Sequence, residues 1–352
     1  MEIQRKSLKD ISWDVDENTY RSDPALSYST LSRYEREGFN GLPRLFDKIS
    51  TPSLVFGAAT DALITGGEEE FNERFIVAKF PEIKDSIIPI VKELYDTFGD
   101  IHTHISEIPD GIVIDIAGKY NYQNNWKPET RARVIKESAG EYYKLLYISQ
   151  DKTIIDTSTY QDVLNCVDAL RSSESTKWYF QKDNPWDGIE RFYQLKFKHT
   201  YGDIEYRCMS DLLVCDHNKK IIYPIDLKTS SKPEYDFYKS FIDWNYSIQA
   251  RLYWRIIRAN LDKDPIYKDY KLADYRFIVV NRKTLVPLVW GFDMTQALGL
   301  LRYGINQDIL LRDPYDIGWE LNYYLKNNPR VPVNVSIMGV NSITRKLEEY
   351  VR

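Results

Sequence analysis

Cysteine is scarce: Cys166, Cys208 and Cys215 are the three in 352 residues. Three thiols cannot build a four-cysteine iron–sulfur site or a CxxC zinc ribbon, and so low a count fits a reducing compartment. Histidine is little used, and His102 and His104, two apart, make a poor metal site and read as a solvated loop. No apolar run approaches the length of a membrane span, and MEIQRKSLKDISW has no apolar leader core; the expectation is a soluble, cytoplasmic protein. There is no excess of positive charge, since 47 Lys and Arg against 52 Asp and Glu give a net charge of −5. Contact with nucleic acid would need a local basic patch, which an acidic total does not exclude. Internal repeats, low-complexity tracts and heptad runs are also missing, which leaves a globular fold.

What is present is apolar and aromatic mass. Hydrophobic residues make up 43% and aromatics 14%, with 27 tyrosines that can line a groove or sit half-buried. That suffices for one large or two ordinary domains. Residues 1–24 are polar and irregular. A short helix starts near Ser27 or Ser29, either of which can cap it, with Leu31 and Tyr34 inward. LVFGAATDALI (54–64) is a small-residue helix with a single charge, Asp61, which is either buried with a partner or on an exposed face. A stripe from Ile83 to Phe98 predicts a helix over 82–98, broken or kinked at Pro89 and stopped at Gly99. Residues 113–122 suggest a strand and 129–148 a helix. Ser158-x-x-Gln161 reads as a capping box opening another helix.

The period then changes to two. RFYQLKFK (191–198) reads as a strand, and RFIVVN (276–281) with VPLVWGF (286–292) as a hairpin. Between them lies a helix over about 244–259. Asp293 can cap a helix over 294–304, and a last amphipathic helix is expected over 342–351. The class is therefore α+β, with helices on a mostly antiparallel sheet.

CMSDLLVCDHNKKIIYPIDLK (208–228) concentrates the chemistry. It reads as a β-hairpin with a polar turn at Asp216-His217-Asn218-Lys219. Period two puts Asp226 and Lys228 on one face and Leu227 on the other. If Cys215 faces Lys220, Asp211 lies opposite Pro224 and diagonal to Asp226. If the turn centres on Asn218-Lys219, Asp211 lies directly opposite Asp226. Both registers bring the two carboxylates onto one face, about 4.5–8 Å apart. A one-residue slip would separate them. Two acids that close repel, and a divalent cation resolves the repulsion; oxygen-only ligation suits Mg²⁺ or Mn²⁺. Against this stand two points. D-x(14)-D-x-K arises easily by chance in a solvated hairpin, and Pro224 argues against a central strand.

In this order the pieces resemble the PD-(D/E)xK nuclease superfamily, and within it the RecB-like and exonuclease VIII (RecE) type of phages and prophages. LSYSTLSRYEREGFNGLPRLF, with Ser29, Leu31 and Tyr34, looks like that group's "S-x-L-x-x-[FY]" opening. LVFGAATDALI looks like its "G-x-x-x-H" helix, with Asp61 where the family has a metal-binding His. Asp211…Asp226-Leu227-Lys228-Thr229 looks like "D…(D/E)-[apolar]-K-T", and Gln249-Ala250-Arg251-Leu252-Tyr253 like "Q-x-x-x-Y". The likeness spans about residues 27–295.

The resemblance implies a restriction-endonuclease-like core, with a helical part over 1–190, a catalytic core over 191–293 and C-terminal helices and tail over 294–352, in one continuous nuclease domain. It implies that Asp211, Asp226, the Leu227 carbonyl and Asp61 hold Mg²⁺ or Mn²⁺. Lys228 would position or deprotonate the attacking water, and Gln249 and Tyr253 would position the DNA backbone or the active-site groups. Lys232 and Arg251 are phosphate-contact candidates. The implied activity is a DNA exonuclease of phage-type recombination or DNA processing. Its implied partners are DNA and a single-strand annealing protein, and its setting the host cytoplasm if phage-encoded. Asp61 and the acidic balance of charge keep a rival open, a non-catalytic DNA-binding or assembly protein on a nuclease scaffold; a third reading, ranked behind it, is a structural or interaction protein without a DNA role.

Overall fold

The switch from helical to alternating periodicity near residue 190 is a change of architecture. The computed structural model describes residues 6–150, 152–184, 186–294, 300–303, 307–338 and 344–347. In chain order the elements are α1 (Glu17–Ser22), α2 (Tyr28–Glu37), α3 (Pro52–Thr65), α4 (Gly67–Arg74), β1 (Phe75–Val77), α5 (Ile88–Phe98), α6 (Asp110–Lys119), α7 (Pro128–Ser149), β2 (Thr153–Ile155) and α8 (Thr157–Ser172). Then follow β3 (Ile189–Tyr201), β4 (Ile204–Asp216), β5 (Ile221–Ser230), α9 (Phe237–Asp243), α10 (Tyr246–Leu261), β6 (Lys271–Leu272), β7 (Tyr275–Asn281), β8 (Leu288–Phe292), β9 (Leu300–Tyr303), β10 (Gln307–Leu310), α11 (Pro314–Asn327), β11 (Val335–Met338) and β12 (Thr344–Leu347). The class is α+β, as expected, with helices filling the N-terminal half.

The chain divides into two compact units, Met1–Thr65 with Asn165–Arg352, and Gly66–Leu164. These breaks differ from the boundaries at 190 and 293 suggested by the family resemblance. The 66–164 unit buries Ile90, Val91, Leu94, Val113, Ile135, Ala139 and Tyr143 in its own core. The other unit is built on a sheet ordered β3-β4-β5-β7-β8, with β6 also pairing β5. The pairs β3/β4, β4/β5 and β7/β8 are antiparallel, and β5 runs parallel to β6 and β7. One core cluster joins Leu213 and Ile222 of the sheet to Ile248, Leu252 and Ile256 of α10 and Leu31 of α2.

Pro224 does sit in a central strand, and the pairing shows why that is tolerated. The Lys220 and Ile222 carbonyls accept from Lys271 and Ala273, so the even-numbered residues of β5 turn their backbone groups toward β6 and β7. On that side β6 ends at Ile222↔Leu272 and β7 begins at Ile225↔Arg276. The proline nitrogen faces the gap between two partners and forfeits no ladder bond.

Other expectations are corrected. Residues 113–122 are not a strand, because Val113 and Ala117, four apart, are the buried stripe of α6. Pro89 does not break a helix over 82–98. It sits in the first turn of α5, where its missing N–H would be unpaired anyway. The cap before α8 is Asp156, which accepts from the Thr159 N–H at 2.7 Å, rather than Ser158. Residues 17–22 are helical rather than irregular. In the C-terminal part, 300–303 and 344–347 are strands where helices over 294–304 and 342–351 are expected; 295–299, 304 and the rest of 342–351 lie outside the described residues. No helix among the described residues is long and apolar enough to cross a membrane.

Candidate active site

The β4/β5 register runs from Asp216↔Ile221 to Leu212↔Ile225. It centres the turn on Asn218-Lys219, the second of the two registers considered, and continues to Asp211 opposite Asp226. The ladder itself stops one pair short of them. Odd-numbered residues of β5 turn their backbone toward β4, and there the Leu227 N–H donates to Asp211 Oδ2 at 2.8 Å. A carboxylate thus takes the place of a strand carbonyl, and the Leu227 carbonyl shares that edge.

The other side of β4 is open at the same level. Tyr193↔Leu212 and Leu195↔Ser210 flank Gln194 and Asp211, which do not pair. Gln194 is left-handed, with φ 53°. A non-glycine residue there is strained by about 1 kcal/mol. Its amide donates to Asp61 Oδ2 at 2.9 Å. The mid-strand kink aims a side chain at α3, and Asp61 is half-buried with a partner.

α3 approaches β5 closely because Gly57 faces it. A Cβ built on Gly57 would lie 3.3 Å from Thr229 Oγ1. Asp61 follows one turn later on the same face. The spacing Gly57-x-x-x-Asp61 thus has a steric cause, a helix that must touch the strand carrying Asp226 and Lys228.

Asp226 is 1% exposed. Lys228 Nζ lies 2.5 Å from Asp226 Oδ2, and the Gln249 amide donates to Asp226 Oδ1. Lys228 Nζ also rests 4.8 Å from the centre of the Tyr246 ring. Burial alone would lower the Lys228 pKa, but the negative charge of Asp226 overrides it and holds the ammonium well above its ordinary value. Asp211 shifts the same way for the opposite chemical reason. Burial first, then the charges of Asp226 and Asp61, push its carboxyl well above the usual range, and Lys228 and the Leu227 N–H only partly offset them.

Of the remaining candidates, Gln249 and Tyr253 do share a face of α10. Tyr253 is buried, with its phenol pKa raised by burial and, more weakly, by Asp226 and Asp211 among its charged neighbours. Arg251 is a correction. It is 3% exposed and donates to the Arg312 carbonyl at 2.8 Å and to Asp313 at 3.1 Å, so it ties α10 to the start of α11 and offers nothing to a phosphate. Lys232 is partly exposed and pairs with Asp243 at 3.0 Å. A phosphate there would compete with a surface carboxylate.

Three contributors escaped the sequence reading. Gln194 left one trace, since the buried positions Phe192, Leu195 and Phe197 slip out of period two at that point. Tyr246 sits three residues before the Gln249 that opens the "Q-x-x-x-Y" spacing. Tyr275 is fully buried with no hydrogen-bond partner for its hydroxyl among the described residues, and the charge of Asp226 is felt there. It lies one residue before the RFIVVN run, and nothing in the sequence there singles it out.

Among the described residues no group of three or more His, Cys, Asp and Glu side chains is gathered closely enough to hold a metal ion. The donor chemistry nonetheless fits Mg²⁺ or Mn²⁺. Such ions commonly use one or two carboxylates and complete their shell with water and substrate phosphate, and Asp211 faces Asp226 with its charge only partly offset.

No family model matches this chain. No curated protein matches it either. Among solved structures it is similar to one named "Putative exonuclease" from Eubacterium rectale, with 12% identity over 90% of this chain and 85% of that one and a TM-score of 0.38.

Proposed function

We propose that this protein is a metal-dependent deoxyribonuclease of the PD-(D/E)xK type, acting as an exonuclease in DNA processing. One observation carries the reading. Two carboxylates from different strands, Asp211 and Asp226, sit opposite each other where the ladder opens, with Lys228 on the same face. A third acid, Asp61, is brought in by α3. A structural hairpin has no reason to bury Asp211 facing two further acids, which together with burial raise the cost of ionising it.

Asp211, Asp226 and the Leu227 carbonyl would hold the cation, with Asp61 adding charge from the α3 side. A bound Mg²⁺ or Mn²⁺ supplies a water of lowered pKa and stabilises charge on the phosphoryl oxygens. Lys228 stays protonated beside Asp226, so it serves as a fixed cation that offsets phosphate charge and orients water, and not as a base. Gln249 holds Asp226 from behind. Gln194 holds Asp61, so the strained residue positions an acid rather than touching substrate.

The test is degradation of linear DNA by purified protein with Mg²⁺ or Mn²⁺. Asp226→Ala and Lys228→Ala should each reduce the rate by about a hundredfold or more, the scale on which one preorganised charge acts. Equal rates in parent and variants would end the reading. A second reading, DNA binding without hydrolysis, draws on the ion pair and amide that already engage Asp226. Binding with no cleavage under any divalent cation would favour it.

A further inference from the structure

Lys228 faces an aromatic wall that none of the four motif patterns specifies. Its ammonium rests on Tyr246, and the Tyr246 ring lies 6.1 Å from that of Tyr28 on α2. The Tyr28 hydroxyl donates to the Trp244 carbonyl at 2.7 Å. Between Trp244 and Tyr246 stands Asn245, left-handed at φ 54°. This pivot sends the two neighbours different ways. Tyr246 turns in against Lys228, and the Trp244 indole turns out, 51% exposed. Two residues of chain cannot separate their Cα atoms by more than about 7 Å. The exposed indole therefore leaves the chain two residues from the ring on which the Lys228 ammonium rests.

Arg36 covers that indole from α2, its guanidinium carbon 5.1 Å from the ring centre. Arg36 is exposed, and no ion pair is found for it among the described residues. A guanidinium over an exposed indole, two residues along the chain from the ring that carries Lys228, is a pairing suited to holding an unpaired nucleotide. The base stacks on the ring and the guanidinium meets the backbone. A base inside a duplex has no free face to offer.

We propose that Trp244 and Arg36 form a stacking platform for an unpaired base next to the scissile phosphate, so that the site receives single-stranded DNA or a frayed end. This rests on the nuclease reading for the meaning of the neighbouring site, but the platform is tested by binding alone.

The probe is a fluorescent 12-nucleotide oligothymidylate, measured without divalent metal and with a blunt duplex of equal length for comparison. The parent should bind the single strand more tightly than the duplex and show quenched tryptophan fluorescence on binding. Trp244→Ala should weaken single-strand binding about ten- to hundredfold, the range of one stacked base. Trp244→Phe, which keeps a ring and the fold, should retain most of the affinity and lose much of the quenching. Arg36→Ala should reduce the slope of log affinity against log salt by about 0.7, one single-strand phosphate contact. Unchanged affinity in Trp244→Ala, or a parent that prefers the blunt duplex, overturns the platform. Cleavage lost in Asp226→Ala with no effect of Trp244→Ala on binding would leave the nuclease standing without it. Trp244-dependent binding with no cleavage by the parent would do the reverse.

Discussion

Asp211 is the residue on which the site's electrostatics turn. Burial first, and then its neighbours Asp226 and Asp61, raise its pKa, so in the metal-free protein its ionisation opposes folding. The folded-state value lies above the unfolded one. The associated stability is therefore complete at acidic pH, below the ordinary carboxylate range, and is lost as pH rises through the elevated folded value. Asp211→Asn keeps an acceptor for the Leu227 N–H and removes the charge. The variant should melt at a higher temperature than the parent in EDTA at neutral pH, and the difference should shrink toward zero as pH falls. Mn²⁺ should raise the parent's melting temperature and leave the variant's nearly unchanged. Identical EDTA melts for the two proteins at neutral pH would show that neither burial nor the neighbouring acids burden the Asp211 charge.

At the scale of elements, what could be read beforehand was what local chemistry specifies. The turn residues 216–219 and period two sufficed to put Asp226 and Lys228 on one face and to reduce the pairing of Asp211 to two registers. Choosing between those registers needed the whole β4/β5 ladder. Pro224 misled because its tolerance depends on where β6 ends and β7 begins, pairings some fifty residues away in sequence. IVIDIA (112–117) misled because a short apolar run has no period of its own, and the stripe of Val113 and Ala117 is defined only by the core it meets. Arg251 misled because its neighbours in sequence do not reveal Asp313, sixty-two residues on. The contact of α3 with β5 was foreshadowed by Gly57 without its partner being legible. Gly57→Val should push α3 off Thr229 and carry Asp61 with it. DNA cleavage should fall about tenfold to a hundredfold, with a stability loss of about 1–3 kcal/mol from overpacking. Adding Thr229→Ala should restore part of both. A double variant no better than Gly57→Val would show that the glycine is there for another reason.

For the whole molecule, the division into two units has a thermodynamic consequence. Every residue of the candidate site belongs to the unit formed by Met1–Thr65 and Asn165–Arg352, and the core around α10 and the sheet is that unit's own. Gly66–Leu164 has a separate core, in which Ile135 is 0% exposed. Units with separate cores unfold as separate cooperative blocks unless their interface is large and apolar. Ile135→Ala should destabilise the 66–164 block by about 2–5 kcal/mol, the usual range for emptying such a position. Calorimetry should then resolve two transitions. The lower one should move with Ile135→Ala, and the upper one should be the one that rises with Mn²⁺. DNA cleavage below the lower transition should be unchanged. A single transition that moves as a whole with both Ile135→Ala and Mn²⁺ would mean that the blocks fold as one. Asp211 and Asp226 would then be held together by the entire chain rather than by the sheet and the helices packed on it.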